Sequence, residues 1–142
     1  MLTVNNLNFI SPYSSLGLSD LSFFSEQVIA SENKLLGELQ INFVQDEELL
    51  QINLEALNHD YYTDIITFDY TVGNILHGDL FISIDRVKEN ANILALSFEQ
   101  ELFRVIAHGI LHLCGYDDQS KDDIELMRLK EEEKIKLFHV KQ

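Results

Sequence analysis

The segment from Ser97 to Leu113 constrains the fold more than any other part of the chain. Leu102, Phe103, Val105, Ile106, Ile110, Leu111 and Leu113 make it apolar around most of its circumference. As a helix it must therefore run through the centre of the protein rather than along its surface. Ser97, with Gln100 three residues on, is a capping-box signature that sets its start. Two imidazoles ride on this rod. His108 and His112, four residues apart, project from one helix face and can offer ring nitrogens to a single ion. Gly115 tolerates the left-handed backbone that ends helices, so the chain after it can fold back and bring Asp118 towards the same ion. Two histidines and one aspartate leave a fourth coordination position open, as catalytic zinc requires and structural zinc does not.

A buried helix needs other elements to cover it. Thr3 to Ile10, Leu36 to Val44, Ile65 to Asp69 and Asp79 to Ile84 are rich in β-branched and aromatic residues or alternate in polarity, and are expected to be strands. Helices are expected between them. Ser19-Asp20 caps one running to about Ser31, with Leu21, Phe24, Val28 and Ile29 on its apolar stripe. Asp46 starts a second, with Leu49, Leu50, Ile52 and Leu57 at roughly helical spacing, and Asp85 caps a third through Leu96. Asp122 to Phe138 is a last, charged helix with a thin apolar face of Ile124, Met127, Leu129 and Ile135. The mixed order implies an α+β fold in which helices cover a mixed sheet of about four strands, with the metal site at the end of the central buried helix.

The 142 residues fit one domain spanning 1–142, with one proline and no low-complexity tract to mark a linker. The only cysteine, Cys114, excludes an intrachain disulfide and favours a reducing, cytoplasmic setting, with Cys114 itself in the core. No stretch approaches the roughly 20 apolar residues of a membrane span, and the N-terminus lacks a basic region followed by an apolar run. The formal charge of −14 argues against unaided, non-specific nucleic-acid binding and gives no reason to expect DNA as a partner. Much of the acid lies in two runs, Asp46-Glu47-Glu48 and Asp122 to Glu133, expected to be solvated helix faces.

Residues around the motif have their own expected places. The H-x3-H-x2-G-x2-D spacing parallels the metzincin protease pattern, but position 109 is Gly where those proteases carry the glutamate that serves as general base. Asp117 adjoins Asp118; Asp118 is the preferred ligand, leaving Asp117 as a turn residue or as a partner for a histidine's second nitrogen. Arg104 is one turn before His108 and is expected to pair with Glu101. His139 is expected to be solvated, while His59 and His77 stay open as contributors to a site.

Taken together, His108-Gly109-Ile110-Leu111-His112-Leu113-Cys114-Gly115-Tyr116-Asp117 resembles the signature H-G-x-L-H-L-x-G-Y-D-H of the YbeY family of bacterial metal-dependent endoribonucleases. Thr63 to Phe68 is similar to that family's T-[DN]-V-L-S-F strand, and Gly78-Asp79-Leu80 to its G-D-[IVL] strand start. The resemblance spans about Ile41 to Glu133. It implies that a divalent metal, zinc above all, is held by His108, His112 and Asp118 and cleaves single-stranded RNA. It implies a role in ribosomal RNA maturation, notably at the small-subunit 3′ end, and in ribosome quality control. An acidic protein reaches RNA more easily within an assembly, so proteins of the small ribosomal subunit are expected partners.

There are two departures from the family pattern. Its third ligand is histidine, where this chain has Asp118, a harder donor that lowers the charge of the site by one. The basic Y-R-G stretch before the first motif strand is replaced by Leu57-Asn58-His59-Asp60-Tyr61-Tyr62, which has no arginine or lysine. Two rivals stand beside the ribonuclease: a metalloprotease or other metallohydrolase, and a non-catalytic ribosome assembly factor with a structural metal.

Overall fold

The computed structural model of the chain describes residues 2–4, 7–10 and 17–141. In chain order its elements are β1 (Leu2–Val4), β2 (Leu7–Ile10), α1 (Leu18–Ser31), β3 (Leu35–Val44), α2 (Asp46–Leu57), β4 (Ile65–Asp69), β5 (Ile75–Ser83), α3 (Ile84–Leu94), α4 (Phe98–Leu113) and α5 (Lys121–Lys141). The strands form one five-stranded sheet in the order β1-β2-β3-β5-β4. Its two outer pairs, β1–β2 and β4–β5, are antiparallel, while β3 pairs in parallel with both β2 and β5. Parallel neighbours cannot be joined by a tight turn, and the helices α1 and α2 lie in the crossovers. The α+β expectation stands, with one strand more than the four expected because the Thr3 to Ile10 segment is two antiparallel strands.

Strand alternation sets the core. Leu7 and Phe9 on β2, Leu39, Ile41 and Phe43 on β3, and Leu76, Leu80 and Ile82 on β5 are buried and share one cluster with apolar residues of α1, α3 and α4. Helix α4 is the hub. It rests on β4 and β5 and is flanked by α1, α3 and α5. Its approach to the sheet is unusually close at Gly109, where a Cβ would come within 2.7 Å of Ile65 Cδ1 and 2.9 Å of Leu80 Cδ1. A triangle of rings fixes the other side. Phe24 of α1, Phe103 of α4 and Phe138 of α5 lie with centroids 4.8, 5.0 and 5.4 Å apart, locking α5 alongside α4.

Several boundaries differ from the sequence expectation for local reasons. α1 starts at Leu18 with Gly17 as its N-cap and no side-chain cap, so Ser19-Asp20 sit inside its first turn. α3 is capped by Ser83, whose Oγ accepts from Arg86 N at 3.1 Å, rather than by Asp85. Asp85 instead uses its carboxylate to accept from Asp46 N at the start of α2. α3 ends at Leu94 because Ala95 takes a left-handed conformation, short of the Leu96 expected. β5 begins at Ile75, four residues before Asp79, because β4 and β5 continue into a hairpin closed by a bridge between Val72 and Ile75.

The last helix departs most. Its buried residues are Met127, Glu131, Lys134 and Phe138, while Ile124 and Leu129 are exposed. The acidic run ending at Glu133 is therefore not a wholly solvated face. Lys134 Nζ, only 1 % exposed, donates to Glu32 Oε2 at the end of α1 at 2.6 Å, and Tyr116 OH donates to Glu32 Oε1 at 2.7 Å. This buried knot joins α1, the loop after α4 and α5. Among the described residues no helix is long and apolar enough to cross a membrane.

Candidate metal centre

The end of α4 builds the site. Gly115, at φ +106, takes a conformation that strains any other residue. The helix closes there as a Schellman motif: Tyr116 N donates to Leu111 O and Gly115 N to His112 O, both at 3.0 Å. The turn reverses the chain and brings Asp118 back over the last helical turn. His108 Nε2 and His112 Nε2 lie 3.1 Å apart, and Asp118 Oδ2 is 3.3 Å from the first and 3.4 Å from the second. Four-coordinate zinc, with bonds of about 2.0–2.1 Å, places neighbouring donors roughly 3.3–3.4 Å apart, so the donor set fits such an ion. The three residues from the sequence are therefore brought together around one point.

Each imidazole is held through its other nitrogen. His112 Nδ1–H donates to the Tyr116 carbonyl at 2.9 Å, so the same turn that reverses the chain fixes the tautomer leaving Nε2 with a lone pair. His108 Nδ1–H donates to Glu131 Oε2 on α5 at 2.6 Å. Burial alone disfavours the charged form of His108, yet the Glu131 hydrogen bond and the Glu131, Asp118 and Asp64 carboxylates outweigh it and hold its pKa above the ordinary value. Glu131 is itself buried and anchored, accepting on Oε1 from Arg104 Nη1 at 3.1 Å.

Arg104 pairs with Glu101 as expected, through Nε to Oε1 at 2.7 Å and through Nη2 to the other oxygen. The Glu101 contact is the main reason its guanidinium is held even more firmly charged than usual. It also lies 3.7 Å from Asp64 Oδ2. Burial lifts the Asp64 pKa, opposed by the charges of Arg104 and His108. Asp64 thus shares an ion network with the side chain that orients His108.

The donors open onto a cleft of about 590 Å³ between the end of α2, the edge strand β4 and the loop after α4. Asp64, Asp69, Asp117 and Asp118 line it, with His59, Tyr61, Thr63, Thr67 and Gln119, and among the described residues no lysine or arginine does. Asp117 accepts from Asp118 N at 2.8 Å as a turn aspartate; the second nitrogens of the histidines belong to Glu131 and the Tyr116 carbonyl instead. His59 is in the cleft, whereas His77 is not: it packs over Gly37 and accepts from Glu38 N at 3.1 Å. Cys114 is half-buried, and burial pushes its thiol up to about 11, which favours the protonated thiol over the thiolate at neutral pH. The side chain of His139 lies outside the described residues.

Among the residues that touch the candidate donors, Glu131 has the weakest sequence signal. Its signal is positional: Met127, Glu131, Lys134 and Phe138 fall at i, i+4, i+7 and i+11, which puts two charged residues on the buried stripe of α5.

Comparison with known proteins bears on the family of the chain. The sequence profile described as Endoribonuclease YbeY matches residues 18–139. A curated protein of that description from Flavobacterium johnsoniae is 53% identical over 137 residues, 96% of this chain and 99% of that protein. One from Christiangramia forsetii is 57% identical over 117 residues, 82% of each chain. The solution structure of TM1509 from Thermotoga maritima superposes with a TM-score of 0.62 at 25% identity, covering 95% of this chain and 93% of that one.

Proposed function

This chain belongs to the YbeY family of endoribonucleases, and from that premise we propose that it is a metal-dependent endoribonuclease of single-stranded RNA. It acts in ribosomal RNA maturation, at the small-subunit 3′ end, and in ribosome quality control, in the cytoplasm and alongside proteins of the small subunit. The observation that carries this reading is the convergence of His108 Nε2, His112 Nε2 and Asp118 Oδ2, each histidine already committed through Nδ1 to a fixed acceptor.

His108, His112 and Asp118 are the metal ligands, and zinc suits two imidazoles and a carboxylate. A divalent ion held there supplies Lewis acidity towards water and a phosphoryl oxygen of the scissile phosphodiester. The protein's own work is to keep the donors ready. Glu131 holds the His108 proton on Nδ1, the Tyr116 carbonyl does the same for His112, and Arg104 pins Glu131 against the ring. The open cleft beside them, edged by β4, admits an extended strand of RNA.

The protease alternative is disfavoured by geometry. A side chain at position 109 would run into Ile65 and Leu80 under the helix, not towards the donors, so no glutamate base fits there. The assay uses purified protein and a single-stranded rRNA precursor, with casein as the competing substrate. Cleavage of the RNA alone, abolished by a chelator and restored by Zn²⁺, is expected. Casein cleavage with intact RNA would support the protease, and intact RNA with His108→Ala merely lowering Tm would support the structural metal.

A further inference from the structure

The cleft presents an electrostatic problem for a strand of RNA. Asp64, Asp69, Asp117 and Asp118 face it, no lysine or arginine among the described residues lines it, and the chain carries a formal charge of −14. Arg104, beside the donors, is engaged by Glu101 and Glu131 and lies near Asp64. Affinity for RNA ordinarily comes from phosphate neutralisation by Lys and Arg. Apart from an ion at the donors, phosphate pairing is offered only by the smaller neighbouring cavity that Arg104 and the exposed Arg128 line with His108 and Asp118. Along the cleft itself a strand needs another kind of contact.

The segment between α2 and β4 supplies it. His59 and Tyr61 line the same space as His108 and His112, and their rings lie 5.2 Å apart with planes only 19° from parallel. The Tyr61 hydroxyl and His59 Nδ1 are 3.0 Å apart, which ties the pair into one unit. Tyr61 is 56% exposed, so its ring is open to a ligand in the cleft. The neighbouring Tyr62 is already engaged, with its hydroxyl on Glu47 at 2.6 Å and Arg86 over its ring.

The loop that carries the pair is pre-ordered. α2 ends at Asn58 in the left-handed conformation, and His59 N donates to Asn53 O at 3.1 Å. Asn53, only 2% exposed, donates from Nδ2 to the Tyr61 carbonyl at 3.0 Å. A buried amide thus spends its hydrogen bond on fixing the backbone beneath an exposed ring. Rings held rigidly beside a site bind flat ligands without paying to order themselves.

We propose that His59 and Tyr61 form a stacking platform for an unpaired nucleobase, and that this platform holds single-stranded RNA in the cleft. The proposal rests on the ribonuclease reading above. Stacking on an aromatic face tolerates any base, suits a strand that is not paired, and needs no cationic side chain at the point of contact.

The test uses zinc-loaded protein and two substrates. Binding is measured by fluorescence anisotropy with a 2′-O-methyl single-stranded oligonucleotide, which resists cleavage, and kinetics with an unmodified rRNA precursor. Tyr61→Ala is expected to weaken binding and raise KM by about 5- to 150-fold while kcat changes by less than about twofold. Tyr61→Phe keeps the ring and should restore wild-type affinity. The plot of log affinity against log salt should have a slope shallower than about −1, because few phosphates are neutralised. An oligonucleotide series carrying an abasic site at successive positions should show one position at which Tyr61→Ala has no further effect. His59→Ala is the second variant, expected to weaken binding in the same direction should Tyr61→Ala fold poorly. Wild-type affinity in both alanine variants, or a salt slope of several ions, overturns the platform while leaving the ribonuclease reading intact. A wild-type protein that neither binds nor cleaves RNA overturns both.

Discussion

Glu131→Gln replaces one oxygen by NH₂ at a buried carboxylate that faces two donors, His108 Nδ1–H at 2.6 Å and Arg104 Nη1 at 3.1 Å. A carboxylate satisfies both; an amide cannot. With its oxygen towards His108, the new NH₂ opposes the guanidinium. With its oxygen towards Arg104, the NH₂ meets Nδ1, which must then give up its proton, and the proton moves to Nε2 and blocks the metal-facing lone pair. Either arrangement forfeits one charge-assisted hydrogen bond, worth about 1.5–3 kcal/mol. That corresponds to a loss of roughly 10- to 100-fold in metal affinity, the scale usual for removing a partner that orients a metal-bound histidine. Competition for Zn²⁺ against a chromophoric chelator measures it. Glu101→Gln is the control, since it perturbs Arg104 without touching His108; it should lower Tm while leaving Zn²⁺ affinity within about threefold of wild type. Wild-type affinity in Glu131→Gln, or an equal loss in both variants, would refute the claim that Glu131 acts by orienting His108.

Two further outcomes follow from the packing. Gly78→Ala puts a Cβ 2.7 Å from the Phe68 carbonyl and 2.9 Å from Leu113 Cδ2, between β4, β5 and α4. Because a backbone atom cannot rotate away, overpacking should cost about 1–3 kcal/mol by denaturant titration, and unchanged stability would mean that the β4–β5 pair is looser than described. The Glu32 carboxylate is partly desolvated, which raises its pKa, but hydrogen bonds from Lys134 and Tyr116 and the charges of Lys134 and Lys130 win and hold it below the ordinary 4.5. Its stabilisation is therefore fully present above pH 4.5 and is lost as pH falls through the lowered folded value. Glu32→Gln should cost about 1.5–3 kcal/mol at neutral pH, because the buried Lys134 ammonium is left with a neutral amide oxygen and the Glu133 carboxylate 3.6 Å away. The gap in Tm from wild type should close only in acid, and a gap that widened in acid would contradict the assigned sign.

The core helix and the convergence of the candidate donors were legible because both are written locally. A helix apolar on nearly all sides has only the interior to occupy, and His108, His112, Gly115 and Asp118 lie within one helical turn and the reversal that follows. β3 and β4 were read nearly to the residue for the same reason, since alternation and β-branched composition are short-range signals. Capping was less legible. Ser83 and Asp85 both suit an N-cap, and the choice fell to Ser83 because Asp85 is used across the structure at Asp46 N. The partners that tune the site were hidden because they come from distant elements. Glu131 sits in a run of charges that reads as solvated, and only the ring packing of Phe138 against Phe24 and Phe103 turns its face inward. His59 and Tyr61 acquire a role only when the segment after α2 and the end of α4 line one cleft.

The central claim is that His108, His112 and Asp118 bind one divalent ion on which RNA cleavage depends. The direct measurement is the metal content of protein purified without added metal, paired with cleavage of an rRNA precursor, for wild type and Asp118→Ala. Close to one ion per wild-type chain is expected, with Asp118→Ala losing both most of its metal and its cleavage. An Asp118→Ala protein that kept a full metal complement at wild-type affinity would contradict it.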